Sequence, residues 1–359
     1  MKTSRRLHVC SAVALTLISA LSLTAADATK APAPDLAKPV QVYIMLGQSN
    51  MVGLGKVTGP DGSLDFAVKT KKKYPHLIDA AGNWAERPDV RFVRVMVGRS
   101  GGMQLFNNEF LKVGGKTMGP EYGIGHPLGD AVEAPLMLLK SCIGNRSLGW
   151  DLLPPGSERY VFEGKVYAGY KDRPDAWPVD AAKGTATVPA PWVDKAGKPI
   201  DWYAGKQYDD DIANAKKVLA ELDKYYPGAT KYEIAGFFFW QGEKDGGNAG
   251  HAAKYEENLV RFIKYLRKDF AAPNAKFVLA TLGEATKSST GNGGKVLAAQ
   301  LAVDGASGKY PEFKGNVATV YANPLSKGGS GNSHYNGNAE TYMAVGEAMG
   351  KAMVELLKR

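Results

Sequence analysis

The sequence predicts an α/β fold with a mostly parallel central sheet. Short apolar segments alternate along its 359 residues with stretches of helical periodicity. Near-continuous apolar runs are typical of strands buried on both faces of a parallel sheet, and their alternation with helices is typical of layered α/β folds. The predicted strands are residues 41–47, 90–97, 135–143, 232–240, 276–282 and 317–321.

Three stretches between these strands have the pattern of helices. Apolar residues recur at three- and four-residue spacing over 255–266 and 342–356, which predicts one buried helical face in each. A third helix is predicted from the acidic run 209–211 to about residue 226, because acidic side chains stabilise a helix N terminus. A calcium site at the acidic run is the alternative, which the absence of a complete ligand loop disfavours.

Residues 155–207 interrupt the alternation of strands and helices. This segment is rich in Pro, Gly, Tyr and Trp and has no clear order of elements. We expect an insertion or cap beside the functional edge of the sheet, with a surface excursion of no functional role as the alternative.

The N terminus has the pattern of an export signal. Basic residues at 2, 5 and 6 precede an apolar stretch over 7–23. An Ala-x-Ala cleavage site follows at 26–28, and Thr-Ala-Ala at 24–26 is a competing site. An uncleaved membrane anchor is the alternative, which the short apolar run disfavours. We expect an exported protein, periplasmic or extracellular, without stable membrane insertion after cleavage. The predicted organisation is a signal peptide at 1–26, a linker at 27–39 and one domain at 40–359.

Charge and cysteine content exclude several classes of protein. Loss of residues 1–26 would lower the formal net charge from +9 to +6, and the basic run at 69–73 lacks the interleaved aromatic residues of a nucleic-acid site. We therefore expect no nucleic-acid partner. Cys142 alone would remain after cleavage, so no intrachain disulfide is expected. No phosphate loop, haem site or metal-ligand spacing is present, and we predict no cofactor and no metal.

A candidate nucleophile follows the first predicted strand. Ser49 lies in the segment Gly-Gln-Ser-Asn at 47–50, at the carboxyl end of the strand, where ligands of open α/β sheets bind. An ordinary turn with a helix cap is the alternative. The segment is not the nucleophile elbow Gly-x-Ser-x-Gly of α/β-hydrolases, since position 51 is Met.

A serine hydroxyl needs a base to become a strong nucleophile. His334 is the best candidate, because it lies in a polar loop between the last predicted strand and the last predicted helix. Surface or structural roles are expected for His76 and His251. The Gly-rich surroundings of His126 leave its role open.

Taken together, four features resemble the sialate O-acetylesterase-like carbohydrate esterases, a branch of the SGNH, or GDSL-like, hydrolases. Residues 47–51 (GQSNM) resemble the first sequence block of that family, and residues 239–245 (FWQGEKD) resemble its Trp-Gln-Gly-Glu-x-Asp block. Residues 138–148 (LLKSCIGNRSL) resemble the looser second block, and His334 stands where the family keeps its base. The resemblance spans about residues 40–357.

The resemblance implies a three-layer, flavodoxin-like SGNH hydrolase fold and a serine esterase that deacetylates carbohydrates through an acyl-enzyme. Ser49 would attack the acetyl carbonyl, and His334 would take its proton. The backbone N–H groups of Ser49 and Gly144 would stabilise the oxyanion, with the Gln241 amide as a third donor. Packing at a strand end is the alternative for Gln241.

The sequence departs from the family pattern at two positions. Many SGNH enzymes place an Asp three residues before the histidine, and that position here is Gly331. We expect Glu243 to supply the acid, with Asp245 as second choice, unless a Ser-His dyad operates. Asn145 stands where relatives often have a second glycine, which affects the assignment of Gly144.

The substrate expected from the resemblance is an acetylated carbohydrate, either a xylan-type glycan or sialic acid. A non-catalytic carbohydrate-binding relative of the same fold is the alternative, favoured by the missing Asp. An extracellular lipase ranks lower, since no amphipathic lid accompanies the motifs. Trp192, Trp202 and Tyr203 of the 155–207 segment are candidates either for stacking on sugar faces or for packing beneath a loop.

Overall fold

The computed structural model describes residues 34–98, 101–329 and 331–359, without the side chains of 331–333. The predicted signal peptide at 1–26, and residues 27–33 of the predicted linker, lie outside the described residues. None of the helices in the described ranges offers the continuous apolar length that a bilayer crossing requires.

The described chain contains twelve strands and eight α-helices. The strands are β1 (Val40–Gly47), β2 (Gly55–Lys56), β3 (Glu86–Val97), β4 (Met103–Lys112), β5 (Thr117–Met118), β6 (Leu136–Ser141), β7 (Tyr160–Phe162), β8 (Lys165–Tyr167), β9 (Ala176–Pro178), β10 (Tyr232–Trp240), β11 (Lys276–Ala280) and β12 (Val317–Val320). The helices are α1 (Ser49–Val52), α2 (Glu121–Ala131), α3 (Lys206–Ala220), α4 (Leu222–Tyr225), α5 (Glu243–Gly246), α6 (Ala249–Asp269), α7 (Gly291–Ala302) and α8 (Ala339–Leu357).

A seven-stranded sheet in the order β12-β11-β10-β1-β6-β3-β4 forms the centre of the fold. All neighbouring strands from β12 to β3 are parallel, whereas β4 pairs antiparallel with β3 at one edge. The predicted α/β architecture with a mostly parallel central sheet is confirmed. The antiparallel strand β4 was not predicted, because its segment MQLFNNEFLK is half polar.

Side chains of β1 alternate between two helical layers, as the two-residue period of a strand requires. Val42, Ile44 and Leu46 pack into the layer that contains α3, α6 and α7, whereas Tyr43 and Met45 pack into the layer that contains α2 and α8. All five side chains are fully buried. The continuous apolar run of β1 therefore reflects burial on both faces, and the fold has three layers.

Strand β1 lies at the point where the connections change direction. Strands β3 and β6 lie on one side of β1, and the later strands β10, β11 and β12 lie on the other side. Open α/β sheets bind ligands in the crevice at such a point, outside the carboxyl ends of the strands. Gly47 at the end of β1 pairs with Trp240 at the end of β10, so the residues that follow each strand meet at one edge.

The segment 155–207, for which the sequence indicated no element order, contains a small antiparallel sheet. Strands β7, β8 and β9 pair in that order. Trp150 and Trp177 pack with Val166 of β8 in a separate apolar cluster, against which Trp192 and Trp202 also pack. Short antiparallel strands of this kind give too few residues for a periodic sequence signal.

A buried ion pair supports the short helix α1. Lys140 of β6 donates to Glu121 Oε2 at 2.6 Å and to the carbonyl oxygen of Val52, the last residue of α1, at 3.2 Å. Glu121 also accepts the N–H of Gly119 at 2.9 Å. The charged side chains of Lys140 and Glu121 are almost completely buried. Each charge therefore depends on the other to offset the loss of its hydration.

We expect Lys140→Met to lower the free energy of unfolding by about 3–5 kcal/mol, because the buried Glu121 carboxylate would lose its counter-charge. Urea denaturation of the purified protein measures the loss. The double variant Lys140→Met/Glu121→Gln serves as the control and should lose clearly less. An equal loss in both variants would assign the effect to packing of the lysine stem.

Candidate active site

The turn that carries Ser49 is fixed by a glycine at the end of β1. Gly47 has a φ of 147°, and a Cβ at this position would lie 2.3 Å from the carbonyl oxygen of Trp240. Only glycine fits this backbone conformation and this close approach. Gln48 N–H donates to the same carbonyl at 3.2 Å. Ser49 then begins α1 at the carboxyl edge of the sheet.

The structure brings Ser49 and His334 into hydrogen-bond contact. His334 Nε2 lies 2.9 Å from Ser49 Oγ, so a neutral imidazole with its proton on Nδ1 accepts the serine hydroxyl proton. His334 adopts a left-handed backbone conformation with φ 53°. The next residue, Tyr335, is fully buried and stacks on Trp240 with 6.0 Å between ring centroids, which anchors the histidine loop to the end of β10.

Gly144, which the family resemblance implies as an oxyanion residue, lies close to Ser49. A Cβ at position 144 would lie 3.6 Å from Ser49 Cβ, so the two backbones are close neighbours. Neither the Ser49 N–H nor the Gly144 N–H donates a hydrogen bond to any residue in the described ranges. Asn145 follows with φ 57°, a left-handed conformation that Asn tolerates better than most residues. Two unused N–H groups therefore flank the Ser49 side chain.

The structure does not place the Gln241 amide as a third oxyanion donor. Gln241 is completely buried, and its Nε2 donates to Asp245 Oδ2 at 2.5 Å and to the Arg146 carbonyl at 2.9 Å. Its Oε1 accepts the Tyr255 hydroxyl at 2.9 Å. Because both amide hydrogens are used inside the protein, packing at a strand end describes Gln241 better than an oxyanion role.

Asp245 holds the loop that carries Gly144. Its carboxylate accepts the N–H of Leu148 at 2.8 Å and the N–H of Gly149 at 2.7 Å, in addition to the Gln241 amide. Burial raises the pKa of this fully buried carboxyl above its usual value, while the charge of His251 and these hydrogen bonds oppose the rise. Asp245 makes no hydrogen bond to His334 in the described part of the chain, so its carboxylate positions a loop and does not orient the imidazole.

The expected hydrogen bond between Glu243 and His334 is also not observed. Glu243 Oε1 instead accepts a hydrogen bond from the Asn50 side chain, and its Oε2 has no partner among the described residues. Burial, followed by the nearby Glu284 carboxylate, raises the pKa of Glu243 to about 8. At neutral pH the side chain is therefore mostly protonated, and a neutral carboxyl group does not stabilise an imidazolium as an anion would.

A cavity of about 770 Å³ opens onto Ser49 and His334. Its lining also includes Trp150, His251 and, from the 155–207 segment, Asp175. The segment therefore contributes one residue to the cavity, and its role as a cap stays a prediction. His251 is buried, and its Nε2 lies 2.8 Å from Asp175 Oδ1, which fits the structural alternative of its expected role. Its position in the cavity lining was not predicted.

The aromatic candidates of the insertion contact residues that flank it in the sequence. Trp192 lies edge-on to Trp150 at 5.9 Å, Trp202 donates to Asp151 Oδ1 at 3.1 Å, and Tyr203 donates to Asp209. None of the three contributes to the lining of the cavity at Ser49. In the described ranges, no group of three or more His, Cys, Asp or Glu side chains has an arrangement that could hold a metal ion.

Comparisons with known proteins match the second half of the chain to one family. Residues 179–355 match the family described as "Carbohydrate esterase, sialic acid-specific acetylesterase". This segment includes Gln241, Glu243, Asp245 and His334, whereas Ser49 and Gly144 lie outside it. No curated protein matches the chain.

Three solved structures align with most of this chain at low sequence identity. A protein of Arabidopsis thaliana is 17% identical, with a TM-score of 0.47, and the match covers 88% of this chain and 98% of that one. A carbohydrate acetylesterase from Xanthomonas citri is 14% identical, with a TM-score of 0.46 and coverage of 87% and 55%. NanS is 13% identical, with a TM-score of 0.45 and coverage of 89% and 99%.

The raised pKa of Glu243 predicts a pH-dependent loss of stability. Between the usual carboxyl pKa of about 4.3 and about 8, the folded chain keeps a proton that the unfolded chain releases, so stability falls as pH rises. Glu243→Gln keeps an acceptor for Asn50 and removes this titration. As pH rises through this window, the unfolding free energy of the variant minus that of the unaltered protein should increase by up to about 1.4 kcal/mol per pH unit. Urea denaturation from pH 5 to 8.5 measures the difference, and parallel curves would contradict the assignment.

Proposed function

We propose that this chain hydrolyses O-acetyl esters of carbohydrates through Ser49 and His334. The match of residues 179–355 to the carbohydrate esterase family of sialic acid-specific acetylesterases supports this proposal. The observation that carries the serine mechanism is the 2.9 Å contact between Ser49 Oγ and His334 Nε2. That contact joins a residue outside the matched segment to one inside it, and it therefore supports the mechanism independently of the family assignment.

In the proposed first step, the Ser49 hydroxyl attacks the acetyl carbonyl carbon while His334 takes its proton. The resulting oxyanion is stabilised by the N–H groups of Ser49 and Gly144, whose lack of partners in the described ranges supports this role. Collapse of the tetrahedral intermediate transfers the proton from His334 to the sugar oxygen and leaves an acetyl-enzyme. Water, activated by the same histidine, then releases acetate and restores Ser49.

We propose supporting roles for the buried carboxyl groups. Asp245 holds the Leu148 and Gly149 amides at 2.8 Å and 2.7 Å, which fixes the end of the loop that presents Gly144. Glu243, mostly protonated at neutral pH, holds the Asn50 side chain beside the nucleophile. A donor aimed at a developing oxyanion contributes roughly 2.7–4 kcal/mol, so small displacements of the Gly144 loop would matter.

We also propose that the enzyme is exported to the periplasm or out of the cell. This part of the proposal rests on the basic residues at the start of the sequence and on the apolar stretch over residues 7–23. Acetylated xylan-type glycans and acetylated sialic acid are the two substrate classes to be tested, and a non-catalytic carbohydrate-binding protein is the outcome that would replace the esterase.

Ser49→Ala should abolish acetate release by the mature protein, with a fall in kcat of at least about 10³-fold, because no other group can form the acetyl-enzyme. Acetate is measured with acetylated xylo-oligosaccharides and with O-acetylated sialic acid, and labelling by a serine-directed phosphonate is followed by mass spectrometry. Equal release by both proteins would refute Ser49. Absence of release and of labelling in the unaltered protein would favour the carbohydrate-binding alternative.

Asp245→Asn should lower kcat by about 10-fold to 100-fold with little change in KM, since an Asn amide would oppose one of the donors that Asp245 now accepts and would loosen the oxyanion loop. Steady-state kinetics on the better acetylated substrate measures both constants. Hydrogen exchange should also become faster at the Leu148 and Gly149 amides. Faster exchange with an unchanged kcat would separate the loop from catalysis.

A further inference from the structure

We propose that Asp175, oriented by His251, binds hydroxyl groups of the sugar that carries the acetyl ester. This inference rests on the proposed function and names a specificity-determining residue for it. Asp175 lies in the 155–207 segment, outside all the sequence blocks that resemble the esterase family, yet it lines the same cavity as Ser49 and His334.

His251 is held rigidly between two parts of the protein. A Cβ on Gly149 would lie 2.5 Å from His251 Cγ, so the imidazole packs directly on the end of the oxyanion loop. On its other side, the ring of Tyr167 from β8 lies edge-on at 5.6 Å. The side chain of Asn248 caps α6 by accepting the His251 N–H at 3.2 Å. Backbone and ring of His251 are therefore both fixed.

This fixed imidazole orients the Asp175 carboxylate. His251 Nε2 lies 2.8 Å from Asp175 Oδ1. Burial lowers the pKa of His251, but the hydrogen bond to Asp175 and the negative charges of Asp175 and nearby carboxylates raise it, so the pKa lies above its usual value. Asp175 Oδ2 has no hydrogen-bond partner in the described part of the chain, and its side chain is 38% exposed. One oxygen is thus used for orientation, and the other is free to accept hydrogen bonds from the cavity side.

The chemistry of the cavity fits a hydroxyl-bearing ring. An acetyl group fills only a small part of the 770 Å³, and the remaining volume is within the range of pockets that enclose larger ligands. Trp150 contributes an apolar side chain to the cavity lining, and its edge-on contact with Trp192 fixes its position. Asn248 and Lys244 contribute polar side chains to the same lining. A carboxylate, an amide and an indole are side chains that can bind a sugar ring through hydroxyl groups and apolar faces.

The test compares a sugar acetate with 4-nitrophenyl acetate, an ester whose alcohol part carries no hydroxyl group that could donate to Asp175. Asp175→Asn keeps an oxygen for His251 and turns the cavity-side acceptor into a donor. We expect its kcat/KM for the preferred acetylated sugar, relative to its kcat/KM for 4-nitrophenyl acetate, to fall by about 10-fold to 100-fold, mainly through KM. Asp201→Asn removes an exposed carboxylate of the same segment, which forms an ion pair with Arg173 at 3.8 Å and does not line the cavity. It should leave the ratio unchanged.

Two outcomes would overturn the inference. A parallel loss on both esters, with a lower melting temperature, would make Asp175 a structural residue, and an unchanged ratio would remove it from recognition. If the unaltered protein hydrolyses neither ester, the proposed esterase function is refuted, while the role of Asp175 in sugar binding is still to be decided. Calorimetric binding of the deacetylated xylo-oligosaccharide and of sialic acid then decides the inference, because Asp175→Asn should weaken binding about 10-fold and unaltered affinity would refute it.

Discussion

The parallel pairing of β1 with β10 is the constraint on which the site depends. It places Gly47 opposite Trp240 at a separation that excludes any side chain at position 47. Ser49 follows one strand and the buried Gln241–Asp245 segment follows the other. Because Tyr335 stacks on Trp240, the loop of His334 is tied to the same strand end. A change in this register would separate nucleophile, base and oxyanion loop together.

The polar residues that follow β10 act as a buried scaffold. Gln241 connects Tyr255 of α6 to the Arg146 carbonyl and to Asp245. Asp245 in turn holds two backbone amides of the 146–149 loop. Buried polar groups are tolerated when their hydrogen bonds are satisfied, and a satisfied network specifies one arrangement. The sequence analysis interpreted this polar segment as catalytic. Its hydrogen bonds show that Gln241 and Asp245 mainly hold the neighbouring 146–149 loop in place.

The six parallel strands of the central sheet, and the placement of Ser49 and His334 at one edge of it, could be predicted because both depend on local or edge-wide patterns. Apolar runs identify buried strands, and residues that follow parallel strands must meet at one edge. The directions of the Gln241 and Glu243 side chains could not be obtained in this way, since their partners Arg146 and Asn50 come from other segments of the chain. The contact between His251 and Asp175 was missed for the same reason. A histidine near a helix start has no special signal until the insertion brings Asp175 to its ring.

The insertion gives the site a wall that the sheet edge alone lacks. In the proposed mechanism the carboxyl edge supplies the groups for acyl transfer, and these would act on any accessible acetate ester. Discrimination between esters needs contacts with the alcohol part of the substrate, and interactions remote from the reacting bond set such preferences. Among the described residues, Trp150, Asp175 and His251 belong to the lining of this cavity together with Ser49. His251 also packs on Gly149 and so couples Asp175 to the loop that Asp245 holds.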